Sequence, residues 1–331
     1  MVLSAIMIPR LVGGLALLGT VHGAVSVLFA HRFTWQQGNP GLHVIDASPA
    51  DEGLPFEDIT FPADTDGLTI SGWLISHDDS GTAVVMVPSG GHNRLNRPID
   101  PGRTARAQLT LARSLWARGH TVLLYDPRGT GRSEGSRLSY GFLEARDLVG
   151  ALRFLEGRGY APARVGVLGW SMGAATAMFA LTRVRYGGLV ADSALASFSN
   201  EDIARYAASG LGLPLALARA VTPVMTFGVF AAARLLWGID LRARAIDALR
   251  EHPVPILVIH GAEDSQVPVA IAPRLAEAAG DAFISAHFLD GVDHVRAYAS
   301  DPAWYVRTVG GALEMMLSTS PRAALSPGLD P

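Results

Sequence analysis

Apolar positions along the chain change rhythm in a regular order. FEDITF (56–61) and LTISGWLIS (68–76) alternate apolar with polar residues, the period of a strand with one covered face. The Asp-Gly of the intervening ADTDG is a hairpin signal. TAVVMV (82–87) is almost continuously apolar, as expected of a strand buried on both faces. HTVLLYD (120–126), ARVGVLG (163–169), GGLVADS (187–193), VPILVIHG (254–261) and AFISAHFLD (282–290) complete the strand-like runs. Between them, residues 105–119, 142–157 and 172–186 space their apolar side chains near 3.6 residues, the helical period. A hairpin followed by strand–helix repeats predicts an α/β fold: a mostly parallel eight-stranded sheet with helices on both faces.

Two stretches break this rhythm. Residues 197–250 separate two strands and contain the strongly apolar segment 211–241. Leu11–Ala30 carries no formal charge over twenty residues and as a helix would be about 30 Å long, the depth of a bilayer core. The first expectation for it is a membrane anchor. A signal peptide cleaved near Val21-His22-Gly23 and a buried helix of a soluble protein are the alternatives. Arg10 and His31-Arg32 flank the run at both ends, so charge gives little orientation, with a lean toward a main domain outside the cytoplasm. The expected organisation is an anchor or signal segment at 1–32, a linker at 33–53, an α/β domain at 54–318 with a helical cap at 197–250, and a disordered tail at 319–331.

Composition narrows the chemistry. Hydrophobic residues make up 49% of 331 and charged residues 17%, which describes a packed core and not a disordered chain. The net charge of −3 offers no footprint for nucleic acid. There are no cysteines, so thiol catalysis, disulfides and Cys-zinc sites are excluded.

The pattern Gly-x-Ser-x-Gly, mark of a nucleophile elbow, occurs twice: GRSEG (131–135) and GWSMG (169–173). An elbow needs a strand entering the serine and a helix leaving it. RVGVLG enters Ser171 and MGAATAMFAL leaves it, whereas Ser133 lies in the polar, glycine-rich loop YDPRGTGRSEGSRLS. Ser171 is therefore the expected nucleophile. It needs a base, and the base an orienting carboxylate. Asp264 in VIHGAEDSQVP and His294 in GVDHVRAY each follow a strand, and the order Ser171, Asp264, His294 is that of one known triad. Competitors are His260, His287, Glu263, Asp293 and, as an alternative acid, Asp192. Two N–H donors are expected for the oxyanion, Met172 at the helix start and Gly90 in the loop PSGGHNR. His92 and Trp170 are candidate substrate contacts. No metal or cofactor is called for.

FPADTDGLTISGWL, PSGGHNR, YDPRGTGRSEG, GWSMG, HGAEDSQVP and GVDH, in this order, resemble the α/β-hydrolases over roughly residues 55–317. The likeness is strongest to the Bem46-like and serine-aminopeptidase-like branch with an N-terminal membrane helix. The resemblance implies the α/β-hydrolase fold, a helical lid at 197–250, and a structural role for the loop holding Ser133. This chain has Pro88-Ser89 where relatives usually have His-Gly, which bears on the shape of the oxyanion loop. The implied function is a membrane-tethered, monomeric serine hydrolase that cleaves a small acyl ester by way of an acyl-enzyme. Peptide, amide and thioester bonds, and a haloperoxidase-like activity, remain open on the same machinery. A non-catalytic scaffold that binds a lipid or a partner protein is the competing hypothesis.

Overall fold

The computed structural model describes residues 19–32, 34–35, 40–78, 80–95, 107–196, 200–201, 203–204, 208 and 212–318. Eight strands form one sheet: β1 Glu57–Pro62, β2 Thr69–Ile75, β3 Ala83–Val87, β4 Thr121–Tyr125, β5 Val165–Trp170, β6 Gly188–Asp192, β7 Ile256–Gly261 and β8 Phe283–Leu289. Their order is β1-β2-β4-β3-β5-β6-β7-β8. β1 pairs antiparallel with β2 as the hairpin signal predicts, β2 is antiparallel to β4, and every later pairing is parallel. Among the described residues from 107 onward, the α-helices with defined bounds are α1 Ala107–Trp116, α2 Glu144–Gly157, α3 Met172–Ala180, α4 Leu215–Trp237, α5 Ala245–Glu251, α6 Ile271–Ala279, α7 Ala297–Ser300 and α8 Pro302–Leu317.

The two-residue period of a strand divides the core into two layers. Val85, Val87, Leu123, Val165, Val167, Leu189, Ala191 and Val258 face α2, α3, α5 and α6. Their neighbours Val84, Met86, Val122, Leu124, Leu168, Val190 and Ile259 face α1 and α8. Strands buried on both faces in this way read in the sequence as unbroken apolar runs.

Two sequence expectations are revised, and a third falls in part outside the described residues. The helix expected at 172–186 stops at Ala180, because the chain turns there to bring Tyr186 under α3, where its hydroxyl donates to the Ala177 carbonyl. Within the expected linker, the described residues are docked. Trp35 bridges Arg137, Leu42 accepts from Gly131 N, and Asn93 Nδ2 donates to the carbonyls of Leu42 and Val44. Residues 19–32 are helical, and the part of the apolar run at 11–18 lies outside the described residues. Among the described residues, the helix long and apolar enough to cross a membrane is α4, not an N-terminal one.

The cap between β6 and α5 leaves the sheet at the carboxyl end of β6. α4 is its main element. Ala30, Ala232, Ala233, Ile239 and Leu241 form a small separate core, against which Tyr140 and Leu143 pack. The turn at Gly141 presses against Ala175 and Thr176 of α3, so the cap sits at the same end of the sheet as Ser171.

Candidate active site

Ser171 stands between β5 and α3 at φ +50°, ψ −111°. A non-glycine residue is seldom found there, and the surroundings must enforce it. Two glycines make this possible. A Cβ at Gly169 would lie 2.6 Å from the Ala174 nitrogen, and one at Gly173 would lie 2.2 Å from the Val87 carbonyl oxygen. The glycines of GWSMG are therefore required by the crossing of α3 over the ends of β3 and β5. Above them, the Ser171 N–H donates to the Asp192 carbonyl at 2.8 Å.

His294 lies in the loop after β8. Its Nε2 is 2.9 Å from Ser171 Oγ and its Nδ1 is 2.8 Å from Asp264 Oδ2. The three side chains thus form one continuous hydrogen-bonded row. Asp264 is buried after β7, and its Oδ1 accepts from the N–H groups of Gln266 at 2.9 Å and Val267 at 2.7 Å. Burial works to raise its pKa, but hydrogen bonds from His260, His294 and the Val267 N–H outweigh it and hold the carboxyl well below the usual range. The group is therefore an anion at neutral pH, able to fix an imidazole with Nδ1 protonated and Nε2 free to accept.

The competitors are placed elsewhere. Ser133 Oγ donates to the Asp126 carbonyl at 2.6 Å and accepts from Ser71 N, tying the ends of β2 and β4 together. His260 is buried. Its Nε2 donates to the Val267 carbonyl at 3.0 Å and lies 3.3 Å from Asp264 Oδ2, so it braces the acid. His287 packs edge-on against Trp304. Glu263 is exposed, and Asp293 accepts from the N–H groups of Ser265 and His294, steadying the loop.

Gly90 lies against Met172: a Cβ there would be 3.3 Å from Met172 Sδ. The two expected oxyanion donors are thus neighbours, and Met172 opens α3, whose first N–H groups have no intrahelical acceptor. The loop is anchored by Arg94, fully buried with Asp126, whose carboxylate accepts from Arg94 N, Nε and Nη2. His92 turns back on its own loop, with Nδ1 2.8 Å from the Gly90 carbonyl. Trp170 does not fit the expected role of a substrate contact. Its indole is buried in the layer facing α8 and donates to Tyr305 Oη at 3.0 Å. The side chain before the serine points away from the elbow because strand residues alternate.

A second polar cluster stands behind the elbow. Tyr305 Oη donates to Asp192 Oδ2 at 2.8 Å, Ser193 Oγ donates to Asp192 Oδ1 at 3.0 Å, and Val295 N donates to Ser193 Oγ at 3.0 Å. Burial pushes the Asp192 carboxyl up to about 6, against the opposing pull of the Tyr305 and Ser193 hydroxyls. Asp192 is thus a brace between the elbow and the His294 loop and takes no place in the Ser171 row. Only a strand-end carboxylate hinted at it; Tyr305 lies 113 residues away. Among the described residues no group of three or more His, Asp or Glu side chains could hold a metal ion.

The chain is similar to known proteins. The Mycobacterium tuberculosis protein Rv2307c is 28% identical over 253 residues, which cover 75% of this chain and 78% of the relative. YqkD of Bacillus subtilis is 29% identical over 256 residues, 76% and 77% of the two chains. Among solved structures, the Pyrococcus furiosus esterase Pf2001 superposes with a TM-score of 0.65 at 23% identity, covering 83% of this chain and 97% of its own. The model of the alpha/beta hydrolase family matches residues 84–308, more than half of the sequence and the whole stretch from the oxyanion loop to the candidate base, and the chain belongs to that family.

Proposed function

We propose that the protein is a serine hydrolase that cleaves acyl esters. The observation that carries this reading is the unbroken row from Ser171 Oγ through His294 to Asp264 Oδ2. In this mechanism the Ser171 oxygen attacks the ester carbonyl as its proton passes to His294 Nε2. Asp264 orients the imidazole and stabilises its charged form. The N–H groups of Met172 and Gly90 receive the oxyanion. His294 then returns the proton to the leaving alcohol. Water, deprotonated by His294, releases the acid from the acyl-enzyme. The fold shared with the Pf2001 esterase is in keeping with this chemistry.

The test is covalent labelling of the full-length protein with a fluorophosphonate, alongside Ser171→Ala and Ser133→Ala. Loss of label in Ser171→Ala alone supports the assignment, and a panel of p-nitrophenyl esters of rising chain length then defines the acyl preference. Absence of label on folded wild-type protein overturns it and returns the fold to a binding role.

A further inference from the structure

The helix at 19–32 and α4 lie side by side and run in the same direction. A Cβ at Gly228 would lie 2.1 Å from Ser26 Oγ and 2.8 Å from His22 Nε2, and further along both chains His31 faces Trp237 with ring centroids 6.0 Å apart. The close approach at a glycine and a serine is the packing used where apolar surface gives helices no reason to associate by themselves. One side of α4 is covered: Ala218, Thr222, Thr226 and Ala233 are buried, Thr226 Oγ1 donates to Asn200 Oδ1, and Arg219 pairs with Glu201. The other side is bare and apolar. Leu217, Val221, Val224 and Leu235 share a face at helical spacing, interrupted only where the first helix crosses at Gly228, and Phe227 and Leu236 flank it. Val27, Leu28 and Phe29 extend it on the first helix. Leu235 is 83% exposed, Leu28 65% and Phe227 63%. Among the described residues, most exposed large apolar side chains lie on these two segments.

The ends of the pair differ from its sides. At the domain end Arg137 lies over the rings of Trp237 at 3.8 Å and Trp35 at 5.3 Å, and His31 stacks on Trp35. Aromatic rings with cations at one level are what the water–lipid boundary favours. Neither helix contains an acidic residue. Of their formal charges, Arg219 pairs with Glu201 and Arg234 with Asp240, while exposed Arg32 and nearby Arg242, which lies over Phe227, carry the sign that complements phosphate headgroups. The first helix also continues, in sequence, the uncharged run that begins at Leu11. Asn200 and Glu201 against the covered side of α4 argue against a spanning helix, which would take them into hydrocarbon.

We propose that the helix at 19–32 and α4 form one lipid-facing surface that seats the protein in a single leaflet of a bilayer, with the Trp35–Trp237–Arg137 cluster at headgroup level. α4 thereby lies in the interface, not across it. The seating stands apart from the chemistry at Ser171.

The absence of cysteine makes the test direct. In the full chain, Val224→Cys, Phe227→Cys and Leu235→Cys each carry a polarity-sensitive nitrobenzoxadiazole dye. Glu156→Cys, exposed at the C-terminal end of α2, whose other end meets the cap at Leu143, is the control. Vesicles of phosphatidylcholine and phosphatidylglycerol contain acyl-chain nitroxide as quencher, and circular dichroism confirms each fold. The expected result is a blue shift and loss of emission at 224, 227 and 235 on adding vesicles, with neither at 156. The same result in Ser171→Ala separates it from activity. Vesicle binding with the three cap dyes still in water overturns the proposal, since the tether is then elsewhere. A blue shift without lipid overturns it too, because a second copy of the chain then covers the face. Failure of the full chain to bind vesicles overturns it outright.

Discussion

At Ser171, Ser193 and Val295 the backbone takes positive φ values of +50°, +51° and +55°. Each such conformation costs a non-glycine residue on the order of 1–3 kcal/mol and persists only where neighbours over-determine it. Here Asp192 and Ser193 hold the elbow to the His294 loop. The identity of the row itself was legible, because elbow, acid and base each follow an apolar strand. The brace was not, because it joins residues that nothing local relates. Replacing Ser171 by Ala is expected to lower kcat by about 10^6-fold, and Asp264→Asn by about 10^4-fold with little change in KM, as measured on a short-chain ester. The two buried carboxyls act oppositely on stability. Asp264 has a depressed pKa, so its contribution is present above its unfolded value and is lost as pH falls toward its folded value. Asp192 is raised to about 6 from an unfolded value near 3.9, so the folded state binds the extra proton between them. Its effect is a loss of about 3 kcal/mol as pH climbs through that window, complete above about 6. Urea unfolding at pH 4 and pH 7 checks this: in Asp192→Asn that component of the pH dependence should vanish.

Strands were the most readable elements, since burial on both faces leaves each as a continuous apolar run and the period of two assigns its residues to layers. Helix ends were less readable: α3 stops early for the sake of a buried tyrosine, which no propensity announces. α4 was readable only as apolar, because a helix with one side covered by its own chain and another side bare has no polar stripe to mark its orientation. Two substitutions examine these elements. Gly173→Ala puts a methyl group against the Val87 and Pro88 carbonyls, and should lower stability by about 1–3 kcal/mol, read as a fall in Tm. Gly228→Leu should force the helix at 19–32 off α4. The expected sign is faster proteolysis near His31–Trp35 while the sheet domain keeps its fold.

Across the whole molecule, the helix at 19–32 packs into the core of the cap. The small core beneath it needs Ala30 from the N-terminus, Ala232 and Ala233 from α4, and Leu241 beyond it. Deleting residues 1–32 is therefore expected to bare Ala233 and the Trp237 ring, with a lower Tm and self-association in light scattering, where a tether model predicts an unchanged domain. This arrangement also sets a timetable. The ribosome releases the helix at 19–32 about 200 residues before the α4 segment that covers it. At about 5–20 residues per second, that leaves an apolar helix without its partner for roughly 10–40 s. Through that interval its apolar face is open to whatever the nascent chain meets first, the lipid of the proposed seat included.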